Sequence, residues 1–201
     1  MPSIIQENAK IFENLTACFG DLARFSRQIA DIAKVARIDL SPLVIDHLAV
    51  RMNDLTTAEQ WREMLQSQSR LLKMSEVNGR PIYLFELNAP LVFLDQSVSI
   101  IELPFPKGKI YPEQGWEHIE AVFPMLEGES VEAWIERTLT TFGLAENPEL
   151  TLKISEPKVA GERLPNPSVA ITLKSGTSLN NCCLKVHPYG INDVICSEIH
   201  F

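Results

Sequence analysis

The chain has 201 residues and a formal net charge of −8, with 45% hydrophobic and 22% charged residues. This balance is typical of a globular protein and excludes a disordered one. The acidic charge, without a lysine or arginine run, argues against nucleic acid and anionic membrane surfaces as partners. The N-terminus lacks a secretory signal pattern, and no stretch reaches 18 consecutive apolar residues, so a soluble, cytoplasmic protein is expected.

The first forty residues predict two helices. Apolar residues recur at helical spacing over residues 4–15, and Gly20 follows as a stop. A second apolar stripe runs over residues 22–36. The pattern ends before Pro42, because the residue before a proline avoids the helical region. We therefore expect an N-terminal helical extension over residues 1–40.

Residues 41–110 predict a first βαβββ module. The segment from 43 to 52 is rich in apolar and β-branched residues, which favours a strand. The segment from 57 to 67 predicts a helix, in which Thr57 and Gln60 have the spacing of a capping box. Three further strands are predicted at 71–77, 81–87 and 98–104, with a tight turn at Asn78-Gly79 between the first two.

Residues 111–201 predict the same order of elements again. A strand is expected at 116–123, and a helix at 130–142 with Gly143 as its C-terminal stop. Weaker strand patterns then occur near 152–155, 169–174 and 183–187.

The repetition is also visible in the letters. DHLAV at residues 46–50 is echoed by EHIEAV at residues 117–122, and His47 and His118 are 71 residues apart (118 less 47). Two copies are too few for a solenoid and indicate a pseudo-symmetric pair. The predicted fold class is therefore α+β, with two paired βαβββ modules in one structural domain and an N-terminal helical extension.

Three side chains in these strands suit a divalent metal. His47 and His118 occupy matching positions, so pairing of the modules would bring two imidazoles to one site, and imidazole is the commonest metal ligand. Glu102 ends the first module in an apolar stretch, where a buried carboxylate is costly unless it is paired or binds metal. Two histidines and one carboxylate with open positions suit Zn, Fe, Mn or Ni.

Two further residues are candidates for catalysis. Glu120 shares a strand face with His118, because side chains alternate along a strand, and it could act as a general base or support a ligand. His187 ends the second module and would complete the coordination or move a proton. Lys185, two residues away, shares the face of His187 and would supply positive charge.

Each interpretation has a structural alternative. A strand histidine is more often a core residue with satisfied hydrogen bonds, and Glu102 could instead pair with an arginine. The last strands of the two modules can be aligned through Pro104 and Pro188. This alignment places Val186 opposite Glu102, and His187 needs a shift of one residue to take that place.

Several stretches of the chain carry a family resemblance. They are DHLAVR, NGRPIYLFEL, IELPFPKGKIYPEQGWEHIE, GERLPNP and LKVHPYGINDVICSE. With them the chain resembles the YecM family over nearly its whole length, from Asp21 to Glu198. The resemblance implies a fold similar to the glyoxalase, bleomycin-resistance and extradiol-dioxygenase superfamily, in which two βαβββ modules surround a cavity.

The resemblance also implies a ligand set. In that superfamily the metal ligands come from the first and last strands of each module, which implies His47, Glu102 and His118 here. The last-strand ligand of the second module is usually a glutamate in glyoxalases, and this chain offers His187 instead.

The leading hypothesis is a metal-dependent isomerase, lyase or oxygenase acting on a small molecule. The alternative is a module that binds or sequesters a small molecule without catalysis, and a third interpretation is a structural or partner-binding protein. Proteins of this fold often form dimers, so a homodimer is expected as one arrangement.

Overall fold

The computed structural model describes residues 4–174 and 179–198. The helices are α1 (Ile4–Phe19), α2 (Leu22–Ala36), α3 (Leu55–Gln66), α4 (Val131–Thr141) and α5 (Ile191–Cys196). The strands are β1 (Val44–Arg51), β2 (Ser69–Val77), β3 (Arg80–Phe93), β4 (Gln96–Pro104), β5 (Gly115–Val122), β6 (Leu150–Ser155), β7 (Ser168–Leu173) and β8 (Cys183–His187).

The strands and two of the helices repeat one topology. The first module is β1-α3-β2-β3-β4 and the second is β5-α4-β6-β7-β8. In the eight-stranded sheet their orders are β2-β3-β4-β1 and β5-β8-β7-β6. In each module the first strand runs parallel to the last, and the remaining pairs are antiparallel. The predicted α+β class with two βαβββ modules is confirmed.

Backbone proximity divides the chain into two compact units. The first combines Met1–Ser26 with His47–Glu117, and the second combines Arg27–Asp46 with His118–Phe201. The boundaries fall inside α2, β1 and β5, so each unit contains most of one module and part of the N-terminal helices.

An aromatic cluster forms part of the core of the first unit. Phe19, at the end of α1, lies edge-on to Trp61 and Trp116, with ring centroids 4.9 and 5.1 Å away. The Trp116 indole nitrogen donates to the Gly20 carbonyl at 3.0 Å. Gly115 has φ +112°, and a Cβ there would meet the Phe19 carbonyl oxygen at 2.2 Å, so only glycine allows this close approach. The C-terminal end of α1 is thus packed into this unit.

Helix α4 anchors the core of the second unit. Trp134 is fully buried, and its indole nitrogen donates to the Phe123 carbonyl at 2.7 Å. The Ser130 side chain caps the helix by accepting from the Ala133 amide. Because a buried indole N–H needs a partner, the pairing with Phe123 fixes α4 against the end of β5.

Helix α3 begins two residues before the predicted start. Its N-cap is Asp54, whose carboxylate accepts from the backbone amide and the hydroxyl of Thr57 at 2.8 and 2.9 Å. These hydrogen bonds lower the pKa of Asp54, with the Thr57 amide as the larger cause. The predicted capping box of Thr57 and Gln60 is therefore wrong, because an aspartate precedes it in the extended conformation that a cap requires.

The hairpin turns explain which strand lengths were predictable. Asn78 and Gly79 both have positive φ, 52° and 77°, which confirms the predicted tight turn. Strand β3 is longer than the predicted segment at 81–87, because it continues to a second turn at Leu94 and Asp95.

Among the described residues, no helix is both long and apolar enough to cross a membrane.

Candidate metal centre

The first unit holds one histidine–glutamate pair. His47 lies on β1 and Glu102 on β4, and the parallel register places Ala49 directly opposite Glu102. The Nε2 atom of His47 is 3.7 Å from Oε2 of Glu102. His47 is 1% exposed, whereas the glutamate side chain keeps 16% of its surface open. At this distance the two groups are too far apart for an ordinary hydrogen bond but close enough to bind the same metal ion.

The second unit holds another such pair on a single strand. His118 and Glu120 share a face of β5, and Nε2 of the histidine is 3.7 Å from Oε1 of the glutamate. Lys185 on β8 lies directly opposite Glu120, and its Nζ donates to Oε1 at 3.4 Å. The carboxylate of this pair is thus close to one imidazole and one ammonium group.

His187 stands behind Glu120. It is completely buried, and its Nδ1 lies 3.0 Å from Oε2 of Glu120. Its Nε2 lies 3.7 Å from Oδ2 of Asp46, whose carboxylate oxygens also accept from the Ile191 amide at 3.0 and 3.2 Å. A Cβ at Gly190 would come within 3.1 Å of Asp46 Oδ1, so a glycine there lets the carboxylate approach. His187 is therefore held between two carboxylates.

Four side chains of the described residues form a group that could hold a metal ion. They are His47, Glu102, His118 and Glu120, and one ligand atom of each lies within 4.8 Å of the others. Metal–ligand bonds of about 2.0 to 2.2 Å separate neighbouring ligand atoms by roughly 3 to 4 Å, which the two 3.7 Å spacings match. Two imidazoles and two carboxylates suit a first-row divalent transition metal. The residues present therefore fit such an ion.

The register corrects the predicted alignment of the last strands. His118 corresponds to His47, so Glu120 corresponds to Ala49, and the residue opposite Glu120 is Lys185. Lys185, not Val186, therefore takes the place that Glu102 has in the first module. Aligning the two prolines failed because Pro188 lies one residue beyond the true counterpart of Pro104.

The structure brings the predicted residues into two positions. His47, Glu102, His118 and Glu120 belong to the four-residue group, whereas His187 lies outside it and contacts Glu120. Sequence reasoning missed the role of Asp46, which precedes His47 and faces His187. The acid before each histidine in the repeat was visible, but no local pattern assigns Asp46 a partner 141 residues away (187 less 46).

Fold and site together define an α+β protein of two βαβββ modules with a candidate metal-binding group. The profile described as YecM protein matches residues 14–198, and the chain belongs to the YecM family.

Three relatives show the extent of this similarity. An uncharacterised protein of Haemophilus influenzae (strain Rd) is 52% identical over 89% of this chain and 92% of its own length. Protein YecM of Escherichia coli K12 is 36% identical over 95% of this chain and 97% of its own length. A solved structure described as "Structural Genomics, Protein EC4020" has a TM-score of 0.76 and 33% identity, covering 94% of this chain and 93% of that one. The predicted family is thus confirmed.

Proposed function

We propose that this protein binds one divalent transition-metal ion through His47, Glu102, His118 and Glu120 and uses it to bind a small molecule. The observation that carries the proposal is the four-residue group, in which two imidazoles and two carboxylates lie within 4.8 Å of one another. Both histidines are almost completely buried, so their imidazoles lie where water cannot compete strongly for the ion.

The carboxylates supply a second argument. Glu102 and Glu120 keep only 16% and 12% of their side-chain surface open. A carboxylate with so little access to water is costly unless a cation or hydrogen-bond donors face it. Lys185 faces Glu120. A divalent cation held by both carboxylates would offset more of their negative charge than a single ammonium group does.

Each oxygen of Glu120 has a separate role in this proposal. Oε1 lies on the side of His118, at 3.7 Å from its Nε2, and is the oxygen that would bind the metal. Oε2 lies 3.0 Å from Nδ1 of His187, an ion-pair distance. Outer-shell groups of this kind orient a ligating carboxylate, so His187 and Asp46 would position Glu120 rather than bind the ion themselves.

A metal ion bound here would act as a Lewis acid on an oxygen atom of the small molecule. The protein groups would bind and orient that molecule, and Glu120 would hold the ion through Oε1. The isomerase, lyase and oxygenase alternatives share this metal-binding step.

Elemental analysis of untagged protein tests the proposal. Inductively coupled plasma mass spectrometry should find near-equimolar Zn, Fe, Mn or Ni in the wild type. The His47→Ala/His118→Ala double variant should contain almost none, and Glu136→Ala, which removes an exposed acid on α4, should retain it. Negligible metal in the wild type, even after reconstitution with each of the four metals, would contradict the proposal and favour a module that binds its ligand without metal.

A further inference from the structure

One face of the second module's strands is mostly polar on β6, β7 and β8. Side chains on β5 to β8 alternate, and the apolar face carries residues such as Val169, Ile171 and Leu184, all completely buried. The opposite face carries His118 and Glu120 of β5. Its residues on β6, β7 and β8 are Thr151, Lys153, Ser155, Ser168, Ala170, Thr172, Cys183, Lys185 and His187.

Two lysines on this face flank a single small residue. Ala170 on β7 lies directly opposite Lys185 on one side and Lys153 on the other. Neighbouring strands are about 4.8 Å apart, so the two lysine Cβ atoms are roughly 10 Å apart across the alanine. Along β7 the residues two before and two after are Ser168 and Thr172. Ala170 is therefore surrounded on four sides by ammonium and hydroxyl side chains.

Edge protection does not account for both lysines. A lysine on an edge strand commonly blocks pairing with another chain, and Lys153 lies on β6 at the end of the sheet order. Lys185 lies on β8, which is paired on both sides, so it blocks no edge. Its side chain is only 26% exposed and is held on the polar face by Glu120.

The first module has different residues at the corresponding positions. They are Ala49, Glu102, Leu84 and Lys73. Leu84, which is 6% exposed, takes in the first module the position that Ala170 has in the second, and it is a larger, apolar residue. The second module alone combines two lysines with a small residue between them.

We propose that this lysine-flanked face over Ala170 is a subsite for the anionic group, a carboxylate or a phosphate, of the bound small molecule. The inference rests on the proposed function, because Lys185 also contacts the proposed ligand Glu120. Two lysines against one glutamate leave this row of residues with net positive charge. Ammonium groups on flexible stems bind such anions as point charges. Ser168 and Thr172 lie on either side of Ala170 along the same face of β7, where their hydroxyls hydrogen-bond to Ser155 and to the Thr151 carbonyl.

Calorimetric titration with two probes, inorganic phosphate and malonate, tests the subsite at constant ionic strength. The titrations use wild type, Lys153→Met, Lys185→Met and Ala170→Glu, each with metal content measured on the same sample. Removal of one charge-assisted contact should weaken binding of the preferred probe by about tenfold. Ala170→Glu should weaken it at least as much, because its carboxylate would occupy the space between intact lysines. The control Lys34→Met removes an exposed lysine of α2 and should change neither property.

The outcomes separate this inference from the metal proposal. Tighter binding of phosphate than of malonate, or the reverse, identifies the anionic group, provided the three variants weaken it. Weakened anion binding with no metal in the wild type supports the subsite while contradicting the proposed function. Metal-loaded wild type that binds neither probe at millimolar concentration, or binds them as well after Lys153→Met and Ala170→Glu, overturns the subsite and leaves the metal site standing.

Discussion

The two βαβββ modules share a strand order but carry their acids on different strands. In the first module Glu102 lies on the last strand, and Ala49 faces it from the first. In the second module Glu120 lies on the first strand, and Lys185 faces it from the last. Because the facing residues are direct neighbours in a parallel ladder, either arrangement leaves a carboxylate about 3.7 Å from its module's histidine.

The exchange has consequences beyond the ligands. Pro104, which offers no side-chain donor, occupies in the first module the position that His187 has in the second. Among these positions, only the second module therefore places a last-strand imidazole, that of His187, next to its carboxylate. Asp46 lies on the other side of that imidazole. The two modules thus share a backbone arrangement, while the residue at each position decides which charged groups lie beside the carboxylate.

The largest effect is expected when either histidine is removed. His47→Ala and His118→Ala should each weaken metal binding by more than about 100-fold, because a direct ligand matters more than the outer-shell groups whose loss costs 10- to 100-fold. Competition with a chelator measures both affinities on one scale, with Glu136→Ala as the unaffected control. If one variant keeps the wild-type affinity, the two modules do not contribute equally and the four-residue site is wrong.

Moving the acid of the second module from its first strand to its last tests whether either strand can supply the carboxylate. Glu120→Ala should weaken metal binding, again by about 100-fold, because it removes one carboxylate ligand. The double variant Glu120→Ala/Lys185→Glu copies the arrangement of the first module, with alanine on the first strand and glutamate on the last. It should recover part of the lost affinity in the same chelator competition. A double variant weaker than Glu120→Ala alone would show that the two strands are not interchangeable sources of the ligand.

An outer-shell substitution should have a smaller effect. His187→Gln removes the imidazole beside Oε2 of Glu120 but leaves the four proposed ligands, so metal affinity should fall by about 10- to 100-fold. Asp46→Asn, which leaves the shape of the side chain and removes its charge, should act in the same direction and more weakly. Unchanged affinity in both variants would show that Glu120 does not depend on this support.

The sequence predicted the parts of this arrangement that are local. The two histidines, the strand on which each lies and the turn at Asn78 and Gly79 follow from short patterns of letters and alternation. Glu102 was identified because a lone acid in an apolar strand needs a partner, and Glu120 because it shares a strand face with His118. That these residues bind metal stays a prediction.

The parts that depend on pairing could not be read from the sequence. The counterpart of Glu102 is decided by the register of β5 and β8, and the alignment of Pro104 with Pro188, which lies beyond β8, gave a misleading guide to it. Helix α5 has only six residues, and its first amide is bound by Asp46, 145 residues earlier. Contacts of such separation leave no local signal, so neither the helix nor the role of Asp46 was predicted.

The smallest expected effect concerns stability and again separates the modules. Before α4, both carboxylate oxygens of Glu129 accept from Arg137, at 2.6 and 2.8 Å, and one also accepts from the Leu126 amide. The Arg137 hydrogen bonds are the main cause of a Glu129 pKa lowered to about 2. On α3, by contrast, the Arg62–Glu59 pair joins two residues of one helical turn.

Substitution of Glu129 should therefore destabilise the protein in a pH-dependent way. A lowered native pKa means that the unfolded chain takes up the proton first, so the stabilisation is complete above the ordinary value of 4.5 and is lost as pH falls towards 2. Denaturant unfolding should show Glu129→Gln less stable than wild type at pH 7, with a gap that narrows between pH 4.5 and 3, while Glu136→Gln stays near wild type throughout. A difference in stability that persists unchanged to pH 3 would mean that the Glu129 side chain acts through packing rather than charge. The Arg137–Glu129 pair would then not set the start of α4 apart from the Arg62–Glu59 pair of α3.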